Sequence, residues 1–457
     1  MESRQRNINA ITEGVVWKQL LIFFFPLLFG TFFQQLYNTV DAIIVGRYVG
    51  KEALSAVGGT TGTLINLLVG FFIGISSGAT VAISQYFGAD DEENISKAVH
   101  TSIALAIAGG LVIMIVGFIG APYALRWMGT PEEIIPYSLQ YMRIYFAGMI
   151  VNLIYNMGSG ILRAIGDSKR PLYFLIVSCI INIVLDLLFV VVFGWNVTGV
   201  AAATVISQAV SAVLVCMSLM SSYESYRLEP KKIRFDSKIL KQVISIGIPA
   251  GVQSLMYSAS NTIIQASINS FGTDTIAAWT AYAKIDGIFW MILGSFGISI
   301  TTFVGQNFGA GKHDRVRKGV KTCISMSLAV SIAISFILII SGTYLFKLFT
   351  NDNGVVEIGM EMLRFITPYY FTFVFIEILS GTLRGMGNTL IPMLISVIGI
   401  CALRIIWIFT AVPIWPTIET VMLSYPITWS ITSVLYIVYY LYFMKRKAMR
   451  GTDLLQY

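Results

Sequence analysis

Twelve long apolar runs leave this chain little choice of fold. Their approximate limits are 17–45, 53–86, 97–121, 134–160, 172–194, 198–220, 239–269, 276–304, 319–346, 355–383, 390–412 and 417–444. A bilayer core of about 30 Å is crossed by roughly 20 apolar residues in a helix, and each run reaches that length. In hydrocarbon every backbone N–H and C=O must be satisfied inside the chain, which a helix does by itself. The reading is an all-α integral membrane protein with twelve transmembrane helices. Charged residues make up only 12% of the chain and hydrophobic residues 56%, against about 25% charged in soluble domains. So few charges cannot cover a water-soluble surface of this size. The longest runs are expected to tilt or to extend beyond the bilayer. The first run continues into Gln34, Gln35, Tyr37, Asn38 and Asp41 without a small-residue cleavage site, so a retained span is expected there rather than a signal peptide.

The net charge is +7, and the basic residues fall in short tracts between the apolar runs. That pattern points to a membrane face and not to nucleic acid. With the N-terminus in the cytoplasm, 23 of the 31 Lys and Arg lie in inside segments, and only Arg47, Lys51, Arg126 and Lys347 lie outside. The positive-inside rule then predicts a multi-pass protein of the cell membrane, inner or plasma, with both termini cytoplasmic. Cys179, Cys216, Cys323 and Cys401 lie in or beside apolar segments, with no metal or disulfide spacing.

The chain is duplicated. Leu162-Arg163-Ala164-Ile165-Gly166 recurs as Leu383-Arg384-Gly385-Met386-Gly387, and Pro171 matches Pro392, at an offset of 221. The same offset pairs Gln85, Phe87, Gly88 and Ala89 with Gln306, Phe308, Gly309 and Ala310. Pro26, Asn38 and Thr39 match Pro249, Asn261 and Thr262 at an offset of 223. Residues 1–220 and 239–457 are therefore read as two six-helix bundles, joined by a basic cytoplasmic linker over 221–238. Six spans is an even number, so both copies enter from the same side. This parallel repeat is an arrangement found in transporters whose halves rock about a central site.

An ionised carboxylate at bilayer depth costs a few kcal/mol unless paired, hydrated or protonated. Four acids lie clearly inside spans: Asp41, Asp186, Asp286 and Glu377. Asp41 stands six residues before Arg47, Asp186 eight before Gly194, and Thr204 five after Gly199. At 1.5 Å per residue these are depths of about 9, 12 and 8 Å, so all three reach the outer half of the first bundle. Asn182 shares a helix face with Asp186. Gln34, Asn38 and Asp41 form a stripe, with Tyr37 beside it. Two carboxyls, an amide and a hydroxyl suit either a shared proton or a dehydrated hard cation such as sodium; a purely structural polar cluster is the alternative. Pro26, fifteen residues before Asp41, removes a backbone hydrogen bond, and a bend there would couple the state of Asp41 to pocket shape.

The second half lacks this set. Ile264 stands opposite Asp41, and Trp407 opposite Asp186. Its own polar residues are Lys284, Asp286, Glu377 and Arg404, two positive and two negative, expected to neutralise one another as ion pairs. Gly309-Ala310-Gly311-Lys312 falls short of a phosphate loop, because Gln306 and His313 hold the positions of its first glycine and its Ser/Thr. Gly70, Gly74 and Gly78 read as close helix packing. No nucleophile–base or metal-ligand grouping stands out, so an enzyme is not expected and no cofactor is implied.

Gln35-Leu36-Tyr37-Asn38-Thr39-Val40-Asp41, the Asn182-to-Asp186 step with Thr204, the doubled Leu162–Gly166 motif and Thr302-Phe303-Val304-Gly305-Gln306-Asn307 together resemble the multidrug and toxic compound extrusion (MATE) family over essentially the whole chain. The resemblance implies a V-shaped pair of six-helix bundles around a central cavity. It implies a secondary-active exporter of mostly cationic, amphipathic organic compounds, driven by H+ or Na+ antiport with alternating access. By that analogy Asp41, Asn182, Asp186 and Thr204 are the cation-coupling residues and a possible Na+ site. Gln34, Tyr37, Asn38 and Pro26 take substrate or gating roles. The NorM-like branch carries a glutamate in span seven and an aspartate in span ten, where this chain has about Tyr257 and Phe373, so the pattern is nearer the DinF-like branch. A lipid-linked oligosaccharide flippase of the same plan is the alternative cargo. The expected partners are small organic molecules and the lipid bilayer, with the chain acting as a monomer.

Overall fold

The computed structural model describes residues 9–450. Residues 1–8, with Arg4 and Arg6 of the inside tally, and residues 451–457 lie outside the described residues. The described chain is helical, with no strand among these residues. The spans are α1 Val16–Val49, α2 Lys51–Gly88, α3 Glu92–Trp127, α4 Ile135–Ala147 with Met149–Ala164, α5 Lys169–Val192 and α6 Asn196–Met220. The second set is α7 Ser237–Asn269, α8 Thr273–Gly309, α9 His313–Lys347, α10 Asn353–Gly385, α11 Leu390–Ile414 and α12 Ile418–Arg446. Every apolar run read from the sequence is present. α4 bends by 51° between Ala147 and Met149, and α2 is interrupted at Gly59.

The repeat is visible in the backbone. After α4, Gly166 takes φ +95° while its N–H donates to the Arg163 carbonyl and that of Asp167 to Leu162. After α10, Gly387 takes φ +81° with the same two bonds to Arg384 and Leu383. This is a left-handed helix stop that glycine adopts without penalty. A second stop follows α2 at Asp90, φ 58°, and α8 at Gly311, φ 69°. The break in α4 at Gly148 has its counterpart in the 3-10 turn Thr367–Tyr369 inside α10.

Packing divides the chain into two units. The first takes the chain up to Gly251, together with Gly305–Lys312. Its core is mostly aliphatic, with Met149, Leu153, Ile161, Val200 and Leu219 packed around Phe146. α2 approaches the start of α7 backbone to backbone: a Cβ on Gly78 would strike Gly247, and one on Gly251 would strike Phe71. The segment after Gly305 is pinned in this unit. Gln306 Nε2 donates to the Ala164 carbonyl at 2.6 Å, Asn307 Nδ2 to Ile11 and Lys312 Nζ to Thr12. Lys312 thus ends on a backbone carbonyl. Gly88 faces the Gln306 backbone and Gly309 the Gln85 backbone, a reciprocal contact between the two copies of one motif. The basic linker also docks here: Tyr226 and Leu228 are buried, and the Glu229 N–H donates to His100 Nε2 on α3.

The second unit takes Val252–Val304 and the chain from His313 on. Its interior is aromatic. Phe289 stacks on Tyr370 at 3.8 Å, and Trp290, Phe373 and Trp429 meet edge to face.

Candidate functional site

Three helices of the first unit converge on one polar pocket. α1 contributes Asp41, α5 contributes Asn182 and Asp186, and α6 contributes Thr204. Asp186 and Asn182 are fully buried, with Thr204 at 3% and Asp41 at 6% exposure. The Thr204 hydroxyl lies 3.4 Å from Asp41 Oδ2 and 2.9 Å from its own helix carbonyl at Val200, so one proton is divided between two acceptors. The Asp41 carboxyl also interacts with the side chains of Asp186 and Asn182. Asp41 Oδ1, both Asp186 oxygens and both Asn182 amide atoms have no hydrogen-bond partner. Buried polar atoms are normally satisfied, so this concentration of four free acceptors beside one free amide donor is a specific feature of the site. Among the described residues neither carboxyl makes an ion pair.

Local helix geometry shapes the pocket. α1 passes into π-helical turns at Val45–Val49, four residues beyond Asp41, and α5 does so at Leu187–Val192, directly after Asp186. Wider turns of this kind recur at functional sites. The two π segments touch each other on the far side of the acid pair.

The sequence-derived stripe on α1 divides. Asp41 turns inward, whereas Gln34 and Asn38 are exposed. Tyr37 lies between, in electrostatic contact with Asp41, Gln34 and Tyr145. Pro26 is half-buried inside an unbroken helix, Val16–Ile44. Sequence reasoning missed Tyr141 and Tyr145 on α4, which stack at 6.1 Å, with Tyr141 in electrostatic contact with both Asp41 and Asp186. They carry no signal beyond being aromatic in an aromatic-rich span.

The second unit corrects one expectation. Lys284, Asp286, Glu377 and Arg404 form no ion pairs with one another. Lys284 is exposed. Asp286 accepts hydrogen bonds from the Tyr370 hydroxyl and from Trp290 Nε1. Arg404 lies 4.3 Å over the Tyr425 ring and donates to Asn261 Oδ1 at 3.3 Å. Glu377 packs against Gly297 on α8 and feels Arg384 on its own helix. Neutral donors and a π face take the place of countercharges: Lys284 and Asp286 share α8 but stand about 200° apart around it, and Glu377 and Arg404 lie on α10 and α11.

Residues 26–188 and 249–410 each match the family model MatE. The chain belongs to the MatE family. It is a membrane transporter and not an enzyme. Each match opens on the repeat proline, Pro26 or Pro249, and the first covers Asp41, Asn182 and Asp186. The probable multidrug resistance protein YoeA of Bacillus subtilis (strain 168) is 29% identical over 441 residues, covering 94% of this MatE chain and 95% of its own. The multidrug export protein MepA of Staphylococcus aureus (strain bovine RF122 / ET3-1) is 23% identical over 400 residues, 86% and 88% of the two chains. A MOP superfamily transporter from Pyrococcus furiosus Vc1 has the same fold, with a TM-score of 0.90 and 21% identity over 97% of this chain and 99% of that one.

Proposed function

We propose that this MatE transporter exports drug-like, mostly cationic and amphipathic organic molecules across the cell membrane in exchange for H+ or Na+. Asp41, Asn182, Asp186 and Thr204 form the coupling site. Both termini are cytoplasmic, and the chain works as a monomer. The single observation that carries this reading is the buried Asp41–Asp186 contact, which has no basic partner. Two full negative charges about 4 Å apart repel by roughly 4 kcal/mol at an effective dielectric of 20, in addition to the cost of burying each. A proton shared by the pair, or a sodium ion held between them, removes that repulsion. The oxygen-rich set of carboxyls, the Asn182 carbonyl and the Thr204 hydroxyl fits a hard cation, and each carboxyl can equally hold a proton.

Export follows from exchange. Entry of the coupling ion from outside neutralises the pair, and its release inside restores the charge. The two states differ in how strongly α1, α5 and α6 attract or repel, which is the differential interaction that a conformational shift requires. YoeA and MepA, named for multidrug resistance and multidrug export, support drug-like cargo. Coupling through the first bundle agrees with the resemblance to the DinF-like branch. The test is transport in proteoliposomes with the pH and sodium gradients imposed separately. One gradient alone is expected to drive uptake of a cationic dye. Equal uptake with neither gradient would overturn the antiport reading.

A further inference from the structure

The second unit holds a charged group that ion coupling leaves unused. Asp286 on α8 is half-buried and bound by two neutral donors, the Tyr370 hydroxyl from α10 and Trp290 Nε1 one turn further along α8 at 2.6 Å. Rings from three helices surround it. Trp290 meets Phe373 of α10 at 4.7 Å and Trp429 of α12 at 5.9 Å, both edge to face, and Tyr425 meets Trp429 at 5.3 Å. Phe373 and Trp429 are buried, while Asp286, Trp290 and Tyr425 keep part of their surface exposed. Among the described residues no basic side chain pairs with the carboxylate. Lys284 is two residues away, turned by about 200° around the helix, and exposed. Arg404 lies beyond the Tyr425 ring, its Nε without a partner.

A structural lock does not need this charge. Elsewhere in the same unit a neutral amide serves: Gln253 donates to Ser396 Oγ at 3.0 Å and to the Tyr257 hydroxyl at 3.2 Å. A carboxylate in the membrane interior carries a burial cost that an amide avoids, and Tyr and Trp donors orient it without neutralising it. A carboxylate on a partly exposed residue, beside π faces, is the chemistry that recognises organic cations.

We infer that Asp286, walled by Trp290, Tyr425 and Trp429, receives the positively charged head of the exported compound and selects aromatic or quaternary monocations. Arg404, one ring away, disfavours a second positive charge. This inference rests on the efflux reading and assigns its cation-recognising residue to the second unit, whereas the acid pair belongs to the first.

The experiment uses the full chain, purified and in proteoliposomes, with tetraphenylphosphonium as the cationic probe and triphenylphosphine oxide as its uncharged counterpart. Asp286→Asn is expected to weaken tetraphenylphosphonium binding by about thirtyfold, the scale of a desolvated cation contact, and to affect the oxide far less. Asp286→Glu is expected to recover most of the difference. Trp290→Phe, which keeps a ring but loses the indole N–H, should lose cation affinity by a smaller factor. That variant decides the matter should Asp286→Asn not fold. Equal losses for both probes would make Asp286 a structural residue, and unchanged cation affinity in every variant would also overturn the inference. A wild-type chain that exports tetraphenylphosphonium while Asp286→Asn matches it sinks this inference alone. A wild-type chain that neither binds nor exports it sinks the efflux reading as well.

Discussion

The two halves share their backbone stops and differ in their chemistry. Gly166 and Gly387 end equivalent helices with the same pair of hydrogen bonds, and Gly88 and Gly309 meet the opposite copy's glutamine backbone in the same way. The acids do not repeat. Where the first half has Asp41, the second has Ile264, 1% exposed. Where the first has Asp186, the second has Trp407, whose Nε1 donates to the Thr420 carbonyl at 2.7 Å. The shared asparagines Asn38 and Asn261 are both exposed, and Asn261 accepts from Arg404. The first half keeps a cluster of buried polar atoms without partners. The second keeps one acid supplied with donors, and one arginine resting on a ring. Residues that carry the fold are therefore separate from residues that carry charge, and a duplicated bundle can change the second set while keeping the first.

That contrast can be broken in several ways. Asp41→Asn or Asp186→Asn should abolish gradient-driven efflux, down to the level of empty liposomes, while the protein still elutes folded, as the wild type does. Wild-type rates in either variant would strip the asymmetry of functional meaning. Ile264→Asp puts an acid at the position equivalent to Asp41, with no partner set to receive it. Thermal unfolding in detergent should show a loss of about 3 kcal/mol, and no loss would mean that the equivalent position is hydrated. Gly88→Val and Gly309→Val should each cost about 1–3 kcal/mol by overpacking. Equal melting shifts would establish the reciprocal contact as symmetric, and unequal shifts would show that the two copies bear different loads. The smallest effect sharpens the ion site itself. Thr204→Ala should weaken coupling-ion affinity by about fivefold, the worth of one hydrogen bond, while Thr204→Ser should keep it; binding titrations of the two variants are the check.

Much of this protein is legible in its linear order. Apolar run length determines the twelve spans, because hydrocarbon forces each crossing segment to satisfy its own backbone. The recurrence of Leu162–Gly166 as Leu383–Gly387 reveals the repeat without any coordinates. Depth arithmetic alone brings Asp41, Asp186 and Thr204 to one level, since a helix converts residue count into height. Rotation and packing are another matter. Gln34 and Asn38 share a stripe with Asp41 by helical spacing, yet only Asp41 is buried, because the inward face of α1 is chosen by its neighbours α5 and α6. Opposite charges on α8, α10 and α11 suggest ion pairs by count, yet Asp286 finds Tyr370 and Trp290, and Arg404 finds Tyr425. Which side chains meet across helices depends on azimuth and on the π-helical turns at Val45–Val49 and Leu187–Val192. Those are settled only when the helices pack, because the energy that fixes them comes from contacts between segments far apart in the chain.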